Sequence, residues 1–349
     1  MILGTQRCIT TEAYIREVAN DDSKTITFDS NNVSAATKEV YRMKRSGFFE
    51  FETKIIWSMA LLLFLLHTVG FYGILTFDYL QNLKTTSWIF CMHVLTVFGV
   101  SAGAHRLWSH KSYKAKLPLR ILLVLLFTAA GQNSVYQWVR NHRLHHKYCD
   151  TDADPHNTNR GFFFSHIGWV VMENHPKVLK KSEKLDMSDI LSDPVVVISE
   201  KYFLPLQFLF SFVLPTIVPV YFWNETWGRA IISQVFIRYM ITLNSIWSIN
   251  SIAHAWGHRP YDRHIKPADN KIVNIILNGE GFHNYHHVFP WDYRSAEIAR
   301  ISYITYLIDW FAKLGLAYDL KYPSLELVKK VAMNRGDGTY LSFYEVPAP

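Results

Sequence analysis

LPLRILLVLLFTAAGQNSVYQWV, at about residues 117–139, decides how the rest of this chain folds. The stretch is apolar for about the length that a bilayer-spanning helix needs, yet it holds Arg120, Gln132, Asn133 and Gln137. HRLWSH (105–110) stands just before it and NHRLHH (141–146) just after it. If the stretch crossed a membrane, these two histidine groups would face opposite compartments and no metal ion could bind both. Its polar side chains favour an interfacial or protein-buried helix that does not span.

Working outward, IIWSMALLLFLLHTVGFYGILTF (55–77) runs from Lys54 to Asp78 without a formal charge, and similar apolar runs cover about 85–104, 202–223 and 230–253. Each is long enough to cross a bilayer. The expected fold is therefore an all-α membrane protein, with four transmembrane helices in two hairpins carrying a helical cap on one face. Lys38, Arg42, Lys44, Arg45 and Lys54 precede the first run and only Lys84 follows it, so the positive-inside rule puts the N-terminus in the cytosol. The hairpins then deliver the first two histidine groups, His254 and a third group, FHNYHH (282–287), to that same face.

The expected division is a polar cytosolic segment at 1–50, a membrane domain with its catalytic cap at 51–320, and a cytosolic, peripheral tail at 321–349. Residues 173–200, with the run KVLKKSEK, read as a cytosolic connection. The first fifty residues lack the apolar core and cleavage site of a secretory signal, which leaves targeting to the first spanning helix. A net charge of +7 suits an anionic lipid surface. Cys8, Cys91 and Cys149 are too scattered for a disulfide framework, as a cytosol-facing chain requires.

On an α-helix the spacing HxxHH sets its first residue one turn from the next two. His142, His145 and His146 should therefore converge, as should His283, His286 and His287, each triplet able to hold metal. His105 and His110 are five residues apart, a turn of about 140° on an ideal helix, so that pair should bracket a helix end. One such group alone is often an ordinary hydrogen-bonding feature; three on one face are not. Neutral imidazole binds zinc, copper, iron and nickel alike, which leaves the metal open. Eight or nine ligands are too many for one ion and suit two, with open positions for a small molecule. Two redox metals at a membrane surface suggest oxygen activation against a buried apolar chain.

The boxes HRLWSH, HRLHH and HNYHH, with NSIAH (250–254), TDADPHN (151–157) and GEGFHNYHHVFPWDY (279–293), carry a resemblance that covers about residues 40–320. Through them the chain resembles the membrane acyl-CoA desaturases of the stearoyl-CoA desaturase family, above all the lepidopteran members that make pheromone precursors. The resemblance implies two Fe2+ ions ligated by His105, His110, His142, His145, His146, His254, His283, His286 and His287, with Asn250 reaching one through water. It implies an oxygen-dependent reaction that removes two hydrogens from adjacent methylenes of a saturated fatty acyl-CoA. The double bond would lie at Δ11 or Δ9, in unsaturated fatty acid or pheromone precursor biosynthesis. Electrons would come from cytochrome b5 and its NADH-dependent reductase as separate proteins, since the chain has neither an HPGG-type haem segment nor a GxGxxG fingerprint. The implied location is the endoplasmic reticulum membrane, multi-pass, with both termini and the active site cytosolic. Fatty acyl-CoA, dioxygen and membrane lipid are the expected partners, and nucleic acid is not.

Among individual residues, Arg140 matches a position that contacts the CoA moiety in the family. Gln132, Trp138 and Trp247 match positions around a bend in the acyl tunnel, and Ile246 stands where threonine is common. His93, Val97 and Ser101 recur every four residues, so one helix face can line the distal tunnel. Glu173 and Asn174 replace a pair that is often Arg-Lys, and Asn141 replaces the usual Asp, leaving Lys177 or Lys180 to supply charge. Asp150, Asp152, Asp154 and Glu280 either orient ligating imidazoles or are solvated charges. Arg238, inside the last apolar run, should face protein or water, with an ion pair as its default role. Asn224-Glu225-Thr226 matches a glycosylation acceptor in a loop too short for use. Two rival functions stand beside the desaturase: a membrane diiron fatty-acyl hydroxylase, and a zinc-binding membrane receptor or transporter.

Overall fold

The computed structural model describes residues 53–277, 279–297 and 302–340; the basic cluster Lys38, Arg42, Lys44 and Arg45, together with Cys8 and residues 341–349, lies outside them. The long helices in chain order are α1 (Trp57–Thr76), α2 (Leu83–Ser109), α3 (Leu117–Ala129), α4 (Val135–Tyr148), α5 (Phe203–Trp223) and a continuous helix α6 (227–255). Among the described residues α1, α2 and α5 are long and apolar enough to cross a membrane. On α1, Leu61, Leu62, Phe64, Leu65 and Leu75 are exposed, an apolar surface suited to lipid and not to water. The turns of the two hairpins meet. Thr85 Oγ1 donates to Glu225 at 2.6 Å, the Trp223 indole to Thr85 at 2.9 Å, and the Trp88 indole to the Pro215 carbonyl at 2.9 Å. Glu225, the middle residue of the glycosylation-like triplet, is thereby buried.

The deciding stretch breaks in two. α3 has 13 residues, about 20 Å of helix against an apolar bilayer core of about 30 Å. After Gly131 the chain turns, and Ser134 caps α4 by accepting from the Gln137 amide. Leu119, Leu123, Val124 and Phe127 of α3 are buried, and Arg120 is paired with Asp193 at 2.8 Å. α3 lies directly on the backbone of α2: a Cβ on Gly99 would stand 2.3 Å from the Phe127 nitrogen and 2.4 Å from the Leu126 carbonyl carbon. Only a residue without a side chain admits that approach.

Arg238 is fully buried in α6, but the expected ion pair is not what holds it. Its guanidinium donates to three main-chain carbonyls, of Gln234 at 3.0 Å, Ala129 at 3.2 Å and Ser211. Carbonyls at the end of α3 and within α5 have lone pairs to spare, so the cation binds three helices without a carboxylate.

The remaining segments form the cap. Residues 173–200 fold into short helices, Pro176–Ser182, Ser188–Leu191 and Pro194–Lys201, the first and last carrying proline in the first turn, where its missing N–H costs nothing. Helices α7 (His283–Val288), α8 (Tyr303–Lys313) and α9 (Leu325–Arg335) follow. Strand β1 (Lys114–Ala115) pairs antiparallel with β2 (Ala317–Tyr318) and ties α8 to the start of α3. The tail after 321, expected to be peripheral, is docked instead: Val328, Val331 and Ala332 of α9 pack with Tyr261, Tyr285 and Phe289, and Arg335 pairs with Asp262 at 2.6 Å. An amphipathic helix with three buried apolar residues has more to gain against α7 than in water.

Candidate metal centre

All nine histidines come together, in two groups. His105, His110, His142, His146 and His286 form one; His145, His254, His283 and His287 form the other; within each, the ligand atoms lie within 4.8 Å of one another. The grouping corrects the expectation that each HxxHH triplet converges as a unit. His142 and His146 serve the first group and His145 the second; His283 and His287 serve the second and His286 the first. Residues four apart differ by about 40° around an α-helix, whereas residues one apart differ by about 100°. The i, i+4 pair therefore shares a target and the i+3 residue turns to the neighbouring one. Two helices, α4 and α7, each bridge both groups.

His105 and His110 meet by a different device. The last part of α2, Gly99–Ser109, is a π-helix, and the His110 amide donates to the His105 carbonyl at 3.1 Å. Hydrogen bonds from i to i+5 widen the turn, so residues five apart stack, and π segments are common where function needs such placement. The two imidazole rings have centroids 4.9 Å apart. His110 also closes the helix, as its five-residue step implied.

Within the groups, Nε2 faces Nε2. The separations are 2.9 Å for His105 and His286, 2.8 Å for His110 and His142, 3.0 Å for His286 and His146, 3.0 Å for His254 and His283, and 3.1 Å for His287 and His283. Several of these rings have their other nitrogen beside a carboxylate. His105 Nδ1 lies 3.1 Å from Glu280, His145 Nδ1 2.9 Å from Asp154, and His254 Nδ1 3.5 Å from Asp150. A neutral imidazole has one N–H; when Nδ1 donates it to a carboxylate, Nε2 carries only a lone pair. Converging lone pairs repel unless a cation lies between them. His145 Nε2 is buried without any protein partner. This donor set fits a pair of metal ions, one to each group.

Electrostatics hold the same protonation states. Burial, and after it the neighbouring charged or imidazole groups, keeps His110, His142, His146, His283, His286 and His287 well below the ordinary histidine value. In His145 burial also lowers the value, but the Asp154 charge and hydrogen bond outweigh it. Burial raises Glu280, yet Arg106 and His105 hold its carboxyl far below the usual range. Three of the four candidate acids thus orient imidazoles. Asp152 is the exception, paired with Lys177 at 2.5 Å on the surface.

Around α7 the non-histidine members of HNYHH do the positioning. Asn284 Oδ1 accepts from the amides of Tyr261 and Asp262, and its Nδ2 donates to the carbonyls of Asp262 and Pro267. The Tyr285 hydroxyl donates to Asp292 at 2.6 Å. Arg106, whose role the sequence reading missed, ties Glu280 to the Tyr293 carbonyl and to Thr305. Its position directly after His105, inside an apolar helix, was the available signal.

A cavity of about 800 Å³, counted with its open end, runs along the two groups. His105, His142, His145 and His283 form part of its wall. Val97, Ser101, Gln132, Trp138, Ile246, Trp247 and Asn250, all singled out from the sequence, line it too. Asn250 lies one turn before His254 on α6, on the side of the four-imidazole group. The sequence reading did not select Asn133, Trp169, Ile249, Leu277 or His156, whose buried Nδ1 makes no hydrogen bond and lies 3.8 Å from Asp154. His93, expected on the distal tunnel face, and Arg140, expected at the CoA moiety, are not among the lining residues. His93 is hydrogen-bonded to Thr242 at 3.2 Å behind the wall. Arg140, half-buried on α4, donates to Asn141 Oδ1 at 3.2 Å, and it is Asn141 that reaches the cavity.

Comparison with known proteins agrees with this geometry. The family described as fatty acid desaturase matches residues 83–304. An acyl-CoA Delta(11) desaturase of Spodoptera littoralis is 50% identical over 277 residues, 79% of this chain and 82% of that protein. An acyl-CoA Delta-9 desaturase of Acheta domesticus is 45% identical over 292 residues, 83% of this chain and 81% of that protein. The human stearoyl-CoA desaturase is 44% identical over 294 residues, again 83% and 81%.

Proposed function

Because the chain belongs to the fatty acid desaturase family and is an acyl-CoA desaturase, we propose that its two imidazole groups hold two iron ions. His105, His110, His142, His146 and His286 would hold one, and His145, His254, His283 and His287 the other, with Asn250 joining the latter through water. Iron supplies the one-electron chemistry by which dioxygen, two electrons and two protons become two waters as two hydrogens leave adjacent methylenes. Everything else falls to the chain's own residues. Glu280, Asp154 and Asp150 hold the imidazoles as neutral ligands in fixed orientations. Val97, Ile246, Ile249 and Leu277 exclude water and hold the acyl chain beside the metals. The observation that carries this reading is the shared wall: imidazoles from both groups and an apolar face enclose one cavity.

In this reading the saturated acyl chain enters the cavity with Arg140 at the mouth, where its cation pairs with CoA phosphate. The double bond is placed at Δ11, in keeping with the Spodoptera littoralis relative, and a Δ9 product is the alternative. Four crossings of the endoplasmic reticulum membrane, α6 being the fourth, set both termini and the metal centre in the cytosol. The meeting of both hairpin turns at the end away from the histidines supports this. Cytochrome b5 and its NADH-dependent reductase supply the electrons. The test is expression in desaturase-deficient yeast with gas chromatography of the fatty acids and location of the double bond. A Δ11 alkene is expected. An alcohol without alkene would make the chain a hydroxylase, and a purified chain holding one zinc and making neither product would make it a zinc-binding membrane protein.

A further inference from the structure

Behind the cavity wall runs a chain of hydrogen bonds that the metal centre does not use. His67 Nδ1 lies 2.7 Å from the Leu63 carbonyl, so it carries the proton and Nε2 accepts. Asn244 Nδ2 donates to that Nε2 at 3.0 Å, and with its other hydrogen to the Met240 carbonyl at 2.8 Å. With its nitrogen so engaged, Asn244 Oδ1 must accept, and His166 Nε2 donates to it at 3.2 Å. His166 Nδ1 is left to accept, and the Ser251 hydroxyl lies 2.8 Å from it. The series runs from Ser251, whose one hydroxyl hydrogen is shared between His166 Nδ1 and the Trp247 carbonyl at 3.2 Å, through His166, Asn244 and His67 to Leu63. The series joins α1, the turn of helix at Phe164–Gly168 and α6.

Trp247 stands in the middle of it. Its ring stacks on His67 at a centroid distance of 6.5 Å and an interplanar angle of 19°, and meets His166 edge-on at 6.2 Å and 83°. The same indole is buried and lines the cavity beside Ile246. Two imidazoles locked in position by their hydrogen bonds thus hold one wall of the acyl site. Their cost in a largely apolar bundle calls for a role that plain packing residues would not fill.

We propose that His67, Asn244, His166 and Ser251 are positioning residues for chain-length and bond-position selection, acting through Trp247. This rests on the reading that the cavity holds the acyl chain. Loss of a link frees the indole to tilt, and the wall then admits chains of different length or sets a different pair of methylenes beside the metals.

The test compares His67→Leu, Asn244→Leu and the double variant with the parent on myristoyl-, palmitoyl- and stearoyl-CoA, reading product ratios and metal content. Each single variant should change the ratio between chain lengths or bond positions by about fivefold, the factor carried by one net hydrogen bond. Metal content should match the parent, since no ligand is touched. The double variant should match either single one, because both break the same series. His67→Gln, which can still donate to Leu63 and accept from Asn244, should restore the parental ratio. If His67→Leu does not accumulate, Ser251→Ala reads the same ratio with the loss of one hydroxyl. Unchanged ratios, or a uniform loss of activity across substrates, would overturn the proposal in favour of a merely structural role. Trp247→Ala separates the two layers: if it shifts the ratio and His67→Leu does not, this inference alone fails. If Trp247→Ala also leaves the ratio unchanged, the cavity does not hold the acyl chain.

Discussion

Glu280→Gln removes one charge and changes no volume. In the parent, two donors converge on the carboxylate: Arg106 on Oε1 and His105 Nδ1 on Oε2 at 3.1 Å. A glutamine side chain offers one oxygen and one NH2, so one of the two donors must face another donor. The site is dry, with side-chain exposures of 1% for Arg106 and 6% for Glu280, so solvent screens little of the loss. Breaking a buried pair from one side costs about 3 to 5 kcal/mol, because the guanidinium is left uncompensated. Loss of a carboxylate that orients a ligating imidazole typically weakens metal binding by about 10- to 100-fold. Only the group containing His105 is served by Glu280, so the loss should fall on one metal and not both. The assay is thermal unfolding together with metal per chain after dialysis against a weak chelator. The expected variant unfolds at a markedly lower temperature and retains about one metal where the parent retains about two. Full metal content with parental stability would refute the role given to Glu280, and loss of both metals would refute the assignment of His105 to one group.

Gly99→Ala should destabilise by at least about 1 to 3 kcal/mol in thermal unfolding, because its Cβ would meet the Phe127 and Leu126 backbone at 2.3 and 2.4 Å and neither atom can swing away. The six histidines held below their ordinary value bind fewer protons folded than unfolded. Their contribution is therefore complete above about pH 6.5 and is lost as pH falls below it. A pH series should show metal release and lowered unfolding temperature together on the acid side of that value, and a flat profile from pH 7 to 5 would contradict this. Arg140→Ala should raise the half-saturating acyl-CoA concentration, since a charge-assisted contact to phosphate is worth about 1.5 to 3 kcal/mol, while the maximal rate changes less. An unchanged half-saturating concentration would remove Arg140 from the binding site.

The convergence of the nine histidines was legible in the sequence because imidazoles clustered beside long apolar runs have few other uses, and because 117–139 could not span without dividing them. The three helices α1, α2 and α5 were legible for a related reason: a bilayer imposes length and apolarity on a helix. The division of ligands between the groups was not. It depends on the direction of each side chain around α4 and α7 and on the π-helical end of α2, and spacing measured on an ideal α-helix describes neither. Asp150, Asp154 and Glu280 carried no sequence signal that separated them from Asp152; only their burial beside imidazoles does. The tail was misjudged because Val328, Val331 and Ala332 are too few to mark a buried face until Tyr261, Tyr285 and Phe289, distant in sequence, come under them. Arg238 was placed inside the protein correctly, but carbonyl partners from α3 and α5 are invisible to side-chain chemistry.

In the proposed centre nine imidazoles hold two irons, five on one and four on the other. Anomalous diffraction from crystals of the purified chain, recorded on both sides of the iron absorption edge, tests it most directly. Two iron peaks are expected, one enclosed by His105, His110, His142, His146 and His286 and the other by His145, His254, His283 and His287. A single peak, or peaks that appear only at the zinc edge, would contradict it.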